Sequence, residues 1–401
     1  MRAGAPGRLA TRPRQLQNFI ARMHFDWTDE QLALKKAVLD FARSELSRRD
    51  DGRSADTLWR DAWNKCAKFG ILGLYFPEAY GGHDAGGLST ALAMECLGTV
   101  CPDAGLLFAL SAQMWSVQMP IWRFGSENQK QRYLRALING SLIGAHGMSE
   151  PESGSDAFSL QTSAVRDGDS YVLNGSKTFV TSAPDADLFL IFARLGNRPG
   201  VFGLTAFLVE RSWGVRVGAP IHKMGLNGAP MAEVYLDDCR VPADNRLGGE
   251  GQGARIFNDS MEWERTYILA WQIGAMERQI AEAVQYARER KLSGKPIATF
   301  QAVSHRIADM RIRLEAARWL LYRAAWLKAE GKPVSMESAI AKVYAAEAAV
   351  ASALEAIQLH GGYGYATDTG VERVLRDAVG GRIYSGTSEV LRNIICHELG
   401  L

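Results

Sequence analysis

The run Met148-Ser149-Glu150-Pro151-Glu152-Ser153-Gly154-Ser155-Asp156 gathers serine hydroxyls and backbone N–H groups around one glycine. Successive N–H groups in a turn form an anion-binding concavity, so this segment can receive a pyrophosphate or the polar edge of a ring. A polar β-turn without a ligand has the same composition, and the run alone leaves both readings open. Asn174-Gly175-Ser176-Lys177-Thr178-Phe179-Val180-Thr181 offers an aromatic ring for stacking and a threonine hydroxyl for a ring nitrogen, yet would pass equally as a hairpin strand. Other chemistries lack their residues. Gly361, Gly362 and Gly364 follow a helical segment, whereas a dinucleotide fingerprint needs its glycines between a strand and a helix. There is no Walker loop, Gly-x-Ser-x-Gly elbow or His-Glu-x-x-His helix. Cys66, Cys96, Cys101, Cys239 and Cys396 are scattered, with neither a Cys-x-x-Cys pair nor histidines at zinc spacing, so no metal site is expected.

The elements that must carry these segments fall in the order α, β, α. Thr28 with Gln31 and Ser126 with Gln129 have capping-box spacing and open helical stretches, so residues 23–140 read as an all-α domain. Short β-rich runs follow between 141 and 249, at Tyr171 to Leu173, Leu188 to Ala193, Leu204 to Val209, Gly214 to Val217 and Glu233 to Leu236, with Asp167-Gly168 as a hairpin turn. Residues 250–401 return to helical period. Val303, Ile307, Met310, Leu314, Ala317 and Leu321 share one face, and Ala339 to Leu359 ends at Gly361-Gly362. With 401 residues, 47% hydrophobic and 22% charged, the chain is large enough for two or three cores, and it holds no apolar run of membrane-spanning length. The first 22 residues hold five arginines and no acid; without them 46 cations against 44 anions becomes 41 against 44. They read as a leader or disordered tail before a natural start at Met23. The remainder has no basic run of the kind that binds nucleic acid.

From about Phe25 to the C-terminus these segments resemble, in order, the motifs of the acyl-CoA dehydrogenases. The resemblance implies an α+β fold with an N-terminal helical domain, a central β-barrel or sandwich and a C-terminal four-helix bundle, and it implies FAD. By the same resemblance, Met148, Ser149, Gly154 and Ser155 would lie along the flavin and pyrophosphate, with Phe179 and Thr181 against the ring. Arg290 and Gln301 match Arg-x-x-Phe-Gly-x-x-Ile-x-x-x-Gln, with Ser293 in place of the Phe, which would thin one apolar wall beside the cofactor. Gln358, Gly361 and Gly362 match Gln-x-x-Gly-Gly, and Thr387 and Glu389 match positions near the adenosine half. In the family these contacts come from two subunits, so a homodimer or homotetramer is expected.

In most members a Glu that removes the substrate α-proton stands where this chain has Ser385. The backbone N–H at that position also holds the thioester oxygen, a role that survives a change of side chain, whereas a serine hydroxyl is no base at neutral pH. Some branches carry the base on a helix one residue before an arginine. Glu264-Arg265 fits that pattern, and Glu262 lies about 200° away around the helix. The alternatives are a surface Glu or a buried partner of Arg265. Segments around Trp263, Met276, His305 and Tyr384 look most like the branch acting on carrier-protein thioesters, the L-prolyl-carrier-protein dehydrogenases. Asn227 stands where many acyl-CoA enzymes have Arg. The expectation is thus a cytoplasmic FAD-dependent dehydrogenase of an acyl or aminoacyl group, prolyl first, on the phosphopantetheine of a carrier protein, passing electrons to an electron-transfer flavoprotein or O2. A short- or branched-chain acyl-CoA dehydrogenase, a flavin monooxygenase on the same fold and a non-catalytic scaffold stand as alternatives.

Overall fold

The computed structural model describes residues 26–47, 55–196 and 200–401; the N-terminal leader and the start at Met23 lie outside them. Helix α1 (Asp29–Glu45) opens on Thr28, whose hydroxyl accepts from the Gln31 N–H while the Gln31 side chain accepts from the Thr28 N–H. The same reciprocal box at Ser126 and Gln129 starts a short helical turn. Helices α2 (Ala55–Phe69), α3 (Gly86–Val100) and α4 (Ala104–Ala112) follow, and α4 runs into a π-helical segment at Gln113–Gln118 before α5 (Met119–Phe124). Both glutamines bounding this segment are buried and hydrogen-bonded to neighbouring backbone. Gln113 donates to the Leu137 carbonyl and accepts from the Gly144 N–H, and Gln118 donates to the Leu72 carbonyl. An i→i+5 segment widens the helix by one residue and recurs at functional sites.

Eight strands make one mixed sheet: β1 (Gly144–Gly147), β2 (Ser163–Asp167), β3 (Ser170–Thr181), β4 (Leu188–Leu195), β5 (Leu204–Glu210), β6 (Val215–Pro220), β7 (Met231–Pro242) and β8 (Arg246–Leu247). Their order is β6-β7-β3-β2-β4-β5-β8, with β1 pairing β4 in parallel. Two antiparallel halves meet where Ser163 and Ala164 of β2 pair with Arg194 and Leu195 of β4. The Asp167-Gly168 turn forms as expected: Asp167 pairs with Ser170 and Gly168 has φ 59°. Strand β4 is almost wholly buried, which explains why it reads as an unbroken apolar run.

The C-terminal part packs α6 (Gly253–Tyr267), α7 (Ala270–Glu289), α8 (Gln301–Ala329) and α9 (Ser335–His360), with α10 (Val371–Gly380) and α11 (Ser388–Glu398) across them. Met310, Leu314, Ala317 and Leu321 are buried, and Val303 and Ile307 pack partly buried against the same core. Helix α9 ends at Gly361, whose φ of 59° with ψ of −133° is a conformation only glycine adopts without strain. Among the described residues no helix is long and apolar enough to cross a membrane.

Candidate active site

Helix α6 carries Glu264 and Glu262 on different faces. Glu262 bonds the Lys328 ammonium toward the surface, while Glu264 is only 6% exposed. Each oxygen of Glu264 meets one hydroxyl: Ser116 of the π-helical segment donates to Oε2, and Ser385 donates to Oε1. Burial pushes the Glu264 carboxyl above the ordinary range, and the two hydroxyls together with the Arg265 and Lys342 charges pull part of the way back. Arg265 does not pair with Glu264 directly. Its Nε donates to the Ser385 carbonyl at 3.2 Å.

Ser385 is left-handed, with φ 57°, in the turn between α10 and α11. Lys342 of α9, 1% exposed, holds the same turn from below through the Tyr384 carbonyl at 2.6 Å and the Gly386 carbonyl at 2.7 Å. On the other side of Glu264 stands an aromatic wall. Trp115 stacks on Tyr267 at 4.5 Å and lies 6.3 Å from Trp263 at an interplanar angle of 5°, and Tyr75 meets Trp115, Trp122 and Trp263 edge-on. A carboxylate poised among apolar rings and hydroxyls, with a raised pKa, has the attributes of a general base that works once water is excluded.

A second cluster joins the Met148 loop to β3. The Thr178 N–H donates to the Ser149 carbonyl at 2.9 Å, and the wholly buried Lys177 ammonium reaches the Met148 carbonyl at 3.3 Å and Glu150 at 2.7 Å. Glu150 also accepts from the Thr162 N–H and hydroxyl. This buried pair, which sequence reasoning did not assign, leaves Gly154 and Ser155 exposed at the loop tip and Phe179 64% exposed with φ 54°.

A third cluster lies at the far ends of α7 and α9. The Arg290 guanidinium sits 5.8 Å over the Tyr363 ring, beside Gly361 and Gly362, and Tyr286 stacks on His360 at 4.2 Å. Gln301 starts α8 and Gln358 ends α9, both exposed. Ser293 and Gly294, with φ 49° and 79°, form the two-residue turn between β9 (Lys291–Leu292) and β10 (Lys295–Pro296). The Thr387 hydroxyl caps α11 by accepting from the Val390 N–H, and Glu389 is exposed in its first turn.

The whole described chain has counterparts. Models of the acyl-CoA dehydrogenase N-terminal, middle and C-terminal domains match residues 28–141, 145–239 and 251–400. The chain belongs to the acyl-CoA dehydrogenase family. It is similar to an L-prolyl-[peptidyl-carrier protein] dehydrogenase of Pseudomonas fluorescens, 42% identical over 94% of this chain and 100% of the relative. Among solved structures, the prolyl acyl carrier protein oxidase AnaB is 43% identical with a TM-score of 0.88, and PigA with FAD and proline is 36% identical with a TM-score of 0.90. Each likeness covers 94% of this chain and all of the other.

Proposed function

We propose that this protein is an FAD-dependent dehydrogenase that desaturates an acyl or aminoacyl thioester tethered to a carrier protein, prolyl first, with Glu264 as the base. The observation that carries the reading is the buried Glu264 carboxylate reaching Ser385, the position at which the family usually keeps its base. The residues present fit FAD. Phe179 offers an uncovered aromatic face beside Thr181, and the Gly154-Ser155 tip is open, with nothing within 4 Å of a side chain built at Gly154. Bound there, FAD supplies an acceptor for the hydride leaving the substrate β-carbon.

The chain's own residues supply the rest. Glu264 takes the α-proton, the Ser385 N–H receives the thioester oxygen as negative charge builds on it, and the aromatic wall keeps water from the carboxylate. Met148, Ser149 and Ser155 would hold the flavin and pyrophosphate. Arg290, Gln301, Gln358, Gly361 and Gly362 would serve the cofactor of a second copy, since all five are exposed while Glu264 is buried, and Thr387 and Glu389 would line its adenosine half. The working protein is then at least a dimer. Four buried free cysteines and one exposed accord with a reducing cytoplasm.

The deciding experiment is anaerobic loss of the visible flavin band on adding prolyl thioester of a phosphopantetheinylated carrier protein, set against a panel of acyl-CoAs. Bleaching by the carrier-bound prolyl group alone is expected. Bleaching by acyl-CoA at equal or higher efficiency assigns the enzyme to free thioesters, and isolation without flavin removes the redox reading.

A further inference from the structure

Three successive carbonyls of the site turn accept hydrogen bonds from one buried and one half-buried cation. Lys342 takes those of Tyr384 and Gly386, at 2.6 and 2.7 Å, and Arg265 takes that of Ser385 between them, at 3.2 Å. Among the described residues the Ser385 N–H meets no acceptor. These facts are linked by the planarity of the peptide. In a trans amide the C=O of residue 384 and the N–H of residue 385 point in opposite directions, and no cis bond occurs among the described residues. A cation that fixes the Tyr384 carbonyl therefore also fixes where the Ser385 N–H points.

We propose that Lys342 is the positioning residue of the reaction: by gripping the Tyr384 and Gly386 carbonyls it holds Ser385 left-handed and aims its N–H at the thioester oxygen, while the Ser385 hydroxyl stays on Glu264. The inference rests on the dehydrogenase reading above. Lys342 makes its hydrogen bonds to the Tyr384 and Gly386 carbonyls and none to the Glu264 carboxylate, and it acts through the peptide plane. A serine in the left-handed region costs energy that the surroundings must offset, and two charged donors to consecutive carbonyls supply that restraint. A buried ammonium needs acceptors whatever its role, and here the acceptors it has are the two carbonyls that flank Ser385. Burial lowers the Lys342 ammonium to about 7, opposed by the Glu264 carboxylate on α6 and Glu389 on α11 and assisted by Arg265. Protonated, the ammonium brings a full charge to both carbonyls; as pH rises through that value the charge goes and the grip weakens to that of a neutral amine.

The test compares Lys342→Met and Lys342→Arg with the parent holoenzyme. In Lys342→Met, kcat for the carrier-bound prolyl thioester should fall about 10²-fold, the cost of a misplaced donor, with KM and flavin content little changed. Its crystal structure should show the Tyr384–Ser385 peptide rotated and the Ser385 hydroxyl off Glu264. Lys342→Arg, charged at every accessible pH, should keep the turn and flatten the alkaline decline in kcat that deprotonation of Lys342 is expected to produce in the parent. Parent-like kcat in Lys342→Met, or an unmoved peptide in its structure, overturns the proposal. If Lys342→Met does not fold, a structure of Lys342→Arg in which the guanidinium turns away from both carbonyls while kcat stays parent-like overturns it as well. The peptide orientation is read from the structure even where no thioester is oxidised, so failure of the dehydrogenase reading is distinguishable from failure of the clamp.

Discussion

The Ser385 hydroxyl donates to Oε1 of Glu264 across 121 residues of sequence. The position that lacks the usual carboxylate is thus in direct contact with a carboxylate delivered from another helix. The turn and α6 meet at one point, where α6 brings a carboxylate to the Ser385 hydroxyl.

Replacement of Glu264 by Gln removes the proposed base and preserves the shape. The amide still accepts from one hydroxyl, and the residues on β3 and the Met148 loop proposed to hold the flavin are untouched. Flavin reduction in a single turnover should slow by about 10²–10⁴-fold, the range of a lost general base, with FAD content unchanged. A rate within a few-fold of the parent would assign the base elsewhere.

Removal of Ser116 should move the acid limb of kcat/KM. Its hydroxyl donates to the ionised form of Glu264 and so lowers a carboxyl that burial has raised. Without that donor the neutral form gains, the carboxyl titrates still higher, and activity is lost at a higher pH on acidification. A hydrogen bond to a charged group contributes about 1.5–3 kcal/mol, so Ser116→Ala should shift the limb upward by about one to two pH units. Ser385→Ala should do the same with the Ser385 N–H still in place. A limb that stays put, or moves to lower pH, would mean that another group sets it.

The features legible in the sequence are those that local rules fix. Both capping boxes form at the residues that spell them. Glu262 and Glu264 part as two positions on a helix must, one toward Lys328 and one inward. Ser116 was not legible, because nothing sets it apart from Ser111, Gln113 and Gln118 nearby and it reaches Glu264 only through an i→i+5 segment that leaves no periodic trace. Lys342 had a faint signal: it is a lone cation among Ala339, Ile340, Ala341 and Val343. In an alanine-rich helix such a lysine usually reads as a side chain snorkelling to solvent, and only the tertiary turn against α9 gives it carbonyls to hold. Glu150 and Lys177 each sit in a recognisable motif, but their pairing depends on strand register, which neither motif specifies.

Glu150→Gln should be strongly destabilising. It would strand the Lys177 ammonium, fully buried, beside a neutral amide, and breaking one partner of a buried pair costs about 3–5 kcal/mol. Because Lys177 also holds the Met148 carbonyl, the loss should appear as weakened FAD retention together with a lower unfolding temperature. Glu152→Gln, at an exposed position of the same loop, is the control and should change neither. An undiminished unfolding temperature in Glu150→Gln would show that the pair adds no net stability.

Gly361→Ala tests the third cluster. A methyl group there meets nothing within 4 Å, so its cost is backbone strain alone, since φ 59° with ψ −133° is closed to alanine. The segment can relieve about 1–3 kcal/mol of strain only by rotating the Gly361-Gly362 peptide, which displaces Tyr363 from beneath Arg290. If this segment serves the cofactor of a second copy, FAD affinity in the oligomer should fall about tenfold for each 1.4 kcal/mol, while kcat of the FAD-loaded fraction stays at the parent value because Glu264 and Ser385 are elsewhere. Titration of the apoprotein with FAD, followed by kinetics on the saturated enzyme, separates the two. An unchanged FAD affinity would remove Gly361 and its neighbours from the cofactor site, and a lowered kcat at saturation would mean that the two clusters are mechanically coupled.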